Sequence, residues 1–266
     1  MSREYGKMFW PQSQNVALYP DHHSMSTMKP FIGLMFLLLS LGQSLAQSAS
    51  PDSIIHQFLT NNCRWAATKQ HEDSLYFDHL VEGQHPVALL IGCSDSRVSP
   101  AVVLGADLGN VFVHRNIANV VSHSDLNFLS VMQYAVEVLK VDHIIVYGHY
   151  GCGGIKAAIE DETLGLIDNW LANIKDVMHM HHKEMEGITD EHERLNRLVE
   201  INVLNQIENL EATSVYRQAM RNGRNIRLHG WVYDFSTGKI KVLTPESGLG
   251  PHEHCDFESL NKGGKY

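Results

Sequence analysis

The apolar positions of the chain change period several times, and each change predicts an element. From Asp52 to about Thr68, Ile54, Ile55, Phe58, Leu59 and Trp65 recur at helical spacing, with Asp52 or Ser53 placed to cap the first turn. This predicts an amphipathic N-terminal helical arm. Val87–Ile91 is a continuous apolar run after Pro86 that stops at Gly92, the pattern of a strand buried on both faces, with Cys93 opening the following loop. Val111–Val113 reads as a second, short strand. A helix is predicted from about Ser124 to Lys140 with Leu126, Leu129, Tyr134 and Val138 on its core side, and His143–Tyr147 as a third strand, again ended by glycine.

From Leu164 to Asn222 the spacing is mostly helical, with a break at Gly187–Asp190 and a stop at Gly223. Asn225–Asp234 then alternates as a strand does, and Ser236-Thr237-Gly238 turns it into Lys239–Leu243 as a hairpin. Strand, helix, strand order of this kind predicts an α/β fold, a mostly parallel β-sheet flanked by helices. In open sheets of this type ligands bind beyond the carboxyl ends of the strands. Cys93 and the His149-Tyr150-Gly151-Cys152 segment both fall at such ends.

Composition narrows the picture. The 266 residues, 44% apolar and without repeats, suit one enzyme-sized domain, expected over 47–245, with a loose tail over 246–266. The formal charge of −9 and the lack of a basic stripe argue against a nucleic-acid partner. Met28-Lys29-Pro30, the short apolar run Phe31–Gly42 and the small residues up to Ala46 resemble a secretory signal peptide over 28–46, cleaved near Ala46. A membrane span takes about 20 apolar residues, so no stable anchor is expected after cleavage, and the predicted location is periplasmic or secreted. An uncleaved N-terminal anchor is the alternative. Residues 1–27 are expected to be an upstream gene-model extension, with Met28 the natural start, or a long signal n-region. Cys63 and Cys255 are isolated and read as packed or free thiols, and His179, His181, His182, His252 and His254 as solvated surface.

Zinc prefers thiolate and imidazole in a tetrahedral set, and a catalytic zinc keeps one position open. Cys93, His149 and Cys152 would supply three ligands from two loops. A lone His-x-x-Cys is weak evidence; Cys93 at the preceding strand end makes it much stronger. Asp95 and Arg97 stand two residues apart, where the guanidinium fork can hold the carboxylate and leave it able to accept a hydrogen bond from water.

Cys93-x-Asp95-x-Arg97 followed by His149-x-x-Cys152 resembles the signature of β-class carbonic anhydrases. The resemblance extends to Phe112–Asn119, Gln133-Tyr134-Ala135, Gly148–Gly154 and His229–Tyr233, covers about residues 52–245, and is nearest to the bacterial branch. It implies reversible hydration of CO2 to bicarbonate and a proton by zinc-bound hydroxide, with one Zn2+ per subunit held by Cys93, His149 and Cys152. It implies that Asp95 and Arg97 form the catalytic dyad, and that Asp95, once released, becomes a fourth ligand in an inactive state. Gln84, Phe112 and Tyr134 would bind CO2, some of them across the interface of a homodimer or tetramer, with the arm wrapping the partner. Two thiolate ligands predict activity that rises toward alkaline pH. Some bacterial members bind an inhibitory bicarbonate through a tryptophan, an arginine and a tyrosine; Arg115 and Tyr233 match, but the first position is Leu90, so this regulation is expected to be weak or absent.

Three other readings stay open. A zinc-holding but silent binding module would need neither the dyad nor Gln84. A hydrolase of another small linear molecule, such as carbon disulfide, could use the same site. A disulfide oxidoreductase is disfavoured, because Cys93 and Cys152 do not form a Cys-x-x-Cys pair.

Overall fold

The computed structural model describes residues 50–161 and 163–244. The signal-like segment, the residues before it and the C-terminal tail, with Cys255, His252 and His254, lie outside the described residues. Helix α1 spans Pro51–Glu72 and crosses the division of the chain into units 1–65 and 66–266. Its cap differs from the expectation. Ser50 is the capping residue: its Oγ accepts from the Ser53 N–H at 3.2 Å and the Ser53 hydroxyl donates back to the Ser50 carbonyl at 2.7 Å. Pro51 then occupies the first helical position, where its missing N–H is not needed. Ile54, Ile55, Phe58, Leu59 and Trp65 are exposed.

The second unit begins within α1 and continues with α2 (Tyr76–Val81), β1 (Ala88–Cys93), α3 (Pro100–Leu104), β2 (Val111–Asn116) and a single tight turn at Ile117–Asn119. Then come α4 (Leu126–Gln133), a wider π-turn at Tyr134–Val138, β3 (His143–His149), α5 (Gly153–Glu160), α6 (Asp168–Met180) and α7 (His182–Met185). The chain closes with α8 (Glu191–Ala212), α9 (Ser214–Arg221), β4 (Arg227–Asp234) and β5 (Lys239–Val242). The sheet order is β2-β1-β3-β4-β5, parallel except for β5, which pairs antiparallel with β4.

The continuous apolar run of β1 follows from its place between β2 and β3, where every residue is buried. On one face Leu89, Ile91, Ile144, Val146 and Val232 join the main core with Phe128, Leu171 and Leu198 from the helices. On the other, Leu90, Ile145 and Tyr147 pack with Val98 and with partly buried Trp231, Tyr233 and Phe235. Full burial of side chains of this size stabilises by about 1.5–3 kcal/mol each, so both faces anchor the sheet.

Two expectations are corrected. The strands run further than the apolar runs: Cys93 and His149 are the last residues of β1 and β3, and β2 continues to Asn116. The core side of α4 and its π-turn is Phe128, Met132, Ala135 and Val136, whereas Leu126, Tyr134 and Val138 are exposed. Apolar residues surround this helix, so periodicity alone could not choose its inward face.

Candidate metal centre

The parallel pairing of β1 with β3 sets Gly92 beside Tyr147, so Cys93 and His149 leave the sheet at the same end. After Cys93 the chain turns sharply, with the Val98 N–H bonded to the Asp95 carbonyl at 2.9 Å. The Asp95 carboxylate accepts from Arg97 three times: at Oδ1 from the backbone N–H (2.9 Å) and Nε (3.0 Å), and at Oδ2 from the second terminal nitrogen (2.7 Å). These bonds, the guanidinium's first, hold the Asp95 carboxyl well below the usual carboxylate range. Arg115 of β2 fixes the same loop by donating to the carbonyls of Cys93 (2.8 Å), Asp95 (2.8 Å) and Val98 (2.6 Å).

His149 is 1% exposed. Its Nδ1 lies 3.0 Å from the Tyr150 carbonyl, which can only accept, so the proton belongs on Nδ1. Nε2 is then a buried lone pair without a hydrogen-bond partner among the described residues. Asp95 Oδ2 lies 3.9 Å from it. Gly151, in the left-handed region at φ 65°, returns the chain so that Cys152 Sγ comes 3.9 Å from Cys93 Sγ. The three ligand atoms lie within 4.8 Å of one another and all three residues are buried.

This donor set fits zinc. Two sulfurs each about 2.3 Å from a tetrahedral ion lie about 3.8 Å apart, and the imidazole presents a lone pair with its other nitrogen anchored, as ligating histidines do. The shared S–H bond drives the Cys93 thiol toward thiolate against the effect of burial, and the same bond pushes Cys152 upward. A bound cation would let both sulfurs ionise.

Residues 88–240 match the family profile described as carbonic anhydrase. A carbonic anhydrase of Emericella nidulans is 47% identical over 183 residues, 69% of this chain and 80% of the relative. One of Pseudomonas aeruginosa is 36% identical over 176 residues, 64% of this chain and 79% of the relative. Among solved structures, a tetrameric β-carbonic anhydrase of Sordaria macrospora superposes with a TM-score of 0.70 at 42% identity, over 73% of this chain and 98% of its own. The β-carbonic anhydrase of Coccomyxa in complex with acetazolamide gives 0.69 at 37%, over 72% and 87%.

The chain belongs to the β-class carbonic anhydrase family. It is accordingly a carbonic anhydrase. The bacterial branch gains no support, since the fungal relative is the more similar of the two compared.

Within this carbonic anhydrase fold, Cys93, Asp95, Arg97, His149 and Cys152 come together at the ends of β1 and β3. Among the described hydrogen bonds and ring contacts, none links Gln84, Phe112 or Tyr134 to them within one chain. Gln84 is exposed ahead of β1, and none of the described hydrogen bonds links it to the Cys93 loop. Phe112 and Tyr134 contact each other, with ring centroids 5.9 Å apart, and Tyr134 is 45% exposed. Of the residues tied to bicarbonate regulation, Leu90 is buried in the smaller core, and Arg115 is engaged by the three loop carbonyls.

Sequence reasoning missed several neighbours of the site. The Phe235 ring lies 5.3 Å from the His149 ring and 4.4 Å from the Arg97 guanidinium, a cation–π contact that steadies the dyad. Tyr150 donates to Glu200 at 2.6 Å, and Lys241 meets the same oxygen at 2.7 Å. Burial alone would raise the Glu200 carboxyl, but the bonds from Lys241 and Tyr150 keep it lowered and charged. A Cβ on Gly148 would come 2.6 Å from Val203 Cγ2, and one on Gly154 would come 2.7 Å from Ile117 Cγ2. The glycines that the resemblance quoted as motif are therefore close-approach positions. Nothing local to either glycine in the sequence names its distant neighbour.

Proposed function

We propose that the protein hydrates CO2 reversibly to bicarbonate and a proton with one zinc ion per subunit, held by Cys93, His149 and Cys152. The observation that carries this reading is the buried Nε2 of His149, without a hydrogen-bond partner among the described residues, beside two sulfurs 3.9 Å apart. Zinc bound there supplies Lewis acidity that makes water a nucleophile near neutral pH. The chain does the rest. Asp95, kept ionised and fixed by Arg97, accepts a proton-bearing bond from the attacking water and turns its lone pair toward the carbon. Arg97 keeps that carboxylate from becoming a ligand itself, and Phe235 keeps Arg97 in place.

The CO2 pocket is completed by a second subunit. Gln84 and Tyr134 are exposed, and Leu126, Tyr134 and Val138 leave an apolar face uncovered. A tetrameric relative supports assembly as a homodimer or tetramer. The occupied Arg115 and the leucine at position 90 support an enzyme without a regulatory bicarbonate site; sigmoidal kinetics suppressed by bicarbonate would overturn that part. Export after cleavage near Ala46 is proposed from the sequence alone, and amino-terminal sequencing of the native protein tests it: a terminus at Ser2 or Met28 would exclude it.

The direct test measures CO2 hydration by stopped flow from neutral to alkaline pH, with zinc content determined on the same sample. Zinc-dependent hydration that rises with pH is expected, and Cys152→Ser should lose both metal and activity. Stoichiometric zinc without hydration would favour a silent module, and turnover of carbon disulfide instead would favour the alternative hydrolase.

A further inference from the structure

The tight turn at Ile117–Asn119 is strained. Ala118 has φ 62° and Asn119 φ 47°, two successive non-glycine residues in the left-handed region, and both are buried. For residues with a Cβ this conformation is unfavourable, somewhat less so for asparagine. What the turn gains is a contact with the metal centre: the Ala118 N–H points at Cys93 Sγ, 3.4 Å away.

That N–H belongs to the same planar peptide unit as the Ile117 carbonyl, and the two point in opposite directions. The carbonyl accepts from the indole Nε1 of Trp170, on α6, at 2.9 Å. The next peptide unit is held as well: the Ala118 carbonyl accepts from Asn202 Nδ2, on α8, at 3.0 Å. Asn202 is 1% exposed and is itself fixed, its Oδ1 accepting from Gln206 Nε2 at 2.9 Å. Gln206 Oε1 in turn accepts from the Val121 N–H at 2.8 Å and from Asn209 Nδ2 at 3.0 Å. Gly154 leaves the room, since a Cβ there would lie 3.4 Å from that of Ala118.

We propose that Trp170 and Asn202 are positioning residues of the metal centre: from two helices they clamp the peptide units on either side of Ala118, so that its N–H is donated to the sulfur of Cys93. The inference rests on the zinc reading above. A hydrogen bond to a charged acceptor is short of bulk solvent here and is strengthened by the indole bond at the other end of the same peptide. It draws charge from the sulfur, which then donates less to the metal and leaves the metal a stronger Lewis acid. Partners at this remove orient and tune ligands in metal sites generally.

The test replaces zinc by cobalt(II) in the full chain and records the sulfur-to-cobalt charge-transfer band, which reports sulfur donor strength directly. Trp170→Phe keeps an aromatic ring on α6 but loses the indole N–H together with the five-membered half of the ring; Asn202→Leu removes the second clamp. Asn209→Ala cuts the far end of the amide chain and serves as the structural control. The band is expected at longer wavelength in Trp170→Phe and Asn202→Leu, because a sulfur without its hydrogen bond gives up charge more easily, and unmoved in Asn209→Ala. Should Asn202→Leu fail to fold, Trp170→Phe alone decides. An unmoved band in Trp170→Phe with cobalt fully bound would overturn the proposal, as would an equal shift in all variants, which would mark general loosening. A wild type that takes up cobalt with no sulfur band would remove the zinc reading itself, and this inference with it.

Discussion

The two strand ends that supply the metal ligands are supported in different proportions: both carry hydrogen bonds, but close packing is tightest at the second. At the end of β1 the loop is held by polar contacts drawn from few residues: Arg115 takes three carbonyls and Arg97 takes the Asp95 carboxylate. At the end of β3 the chain is held by close packing, with Gly148 against Val203 and Gly154 against Ile117. Hydrogen-bonded support fails when a group is deleted, because the partners left behind lose their donors. Packed support fails when a group is added, because a dense interior has nowhere to put it.

The largest expected effect is therefore a deletion at the first end. Arg115→Met keeps much of the aliphatic stem but strips three carbonyls of their donor at once, and Cys93 sits among them. Hydrogen bonds from a charged donor contribute about 1.5–3 kcal/mol each, but Arg115 is solvent-exposed, so a net loss of about 2 kcal/mol is expected. Urea unfolding of wild type and variant checks it. Zinc occupancy should fall in parallel; unchanged occupancy and stability would mean that the loop holds itself.

The matching addition at the second end is Gly154→Ala. The new methyl meets Ile117 Cγ2 at 2.7 Å, which can move, and the Ala118 Cβ at 3.4 Å, which is part of the strained turn. Overpacking of this kind costs about 1–3 kcal/mol, and a value in the lower half of that range is expected because one neighbour is a flexible side-chain end. The same thermal or urea assay measures it. If Gly154→Ala were neutral while Arg115→Met was severe, the packed end would have slack, and glycine there would need another explanation.

The sequence was legible where chemistry is local. Cys93, Asp95 and Arg97 stand within five residues after an apolar run, and His149 and Cys152 within four after another, so strand ends and ligand types could be read together. It was not legible where support comes from afar. Trp170 and Asn202 look like ordinary helix residues, and only the fold brings them to a turn 53 and 84 positions earlier. Ala118 carries no mark of its left-handed conformation, since alanine, unlike glycine or asparagine, has no preference for it. Arg115 was read through its match to a bicarbonate site, and the three carbonyls that engage it are visible only once β2 lies beside β1. The open apolar face of α4 has the same origin: residues apolar on every side do not say which side faces in.

The smallest effect separates charge from support at the first end. Asp95 has a folded pKa lowered by the hydrogen bonds and charge of Arg97. A lowered carboxylate contributes stability at pH values above its unfolded pKa, about 3.9, and loses that contribution as pH falls toward the folded value. Asp95→Asn, which keeps the shape and removes the charge, should thus unfold at slightly lower urea than wild type, with a gap constant from about pH 9 down to about pH 5 and narrowing below it. The gap should be small, because Arg97 is largely exposed and solvent screens the pair. The pair's role at neutral pH is then orientation of the carboxylate, so hydration activity in Asp95→Asn should fall far more than stability does. A gap that widens toward acid would reverse the sign and show that Asp95 is protonated more readily in the fold than outside it, leaving Arg97 without the partner that keeps it over Phe235.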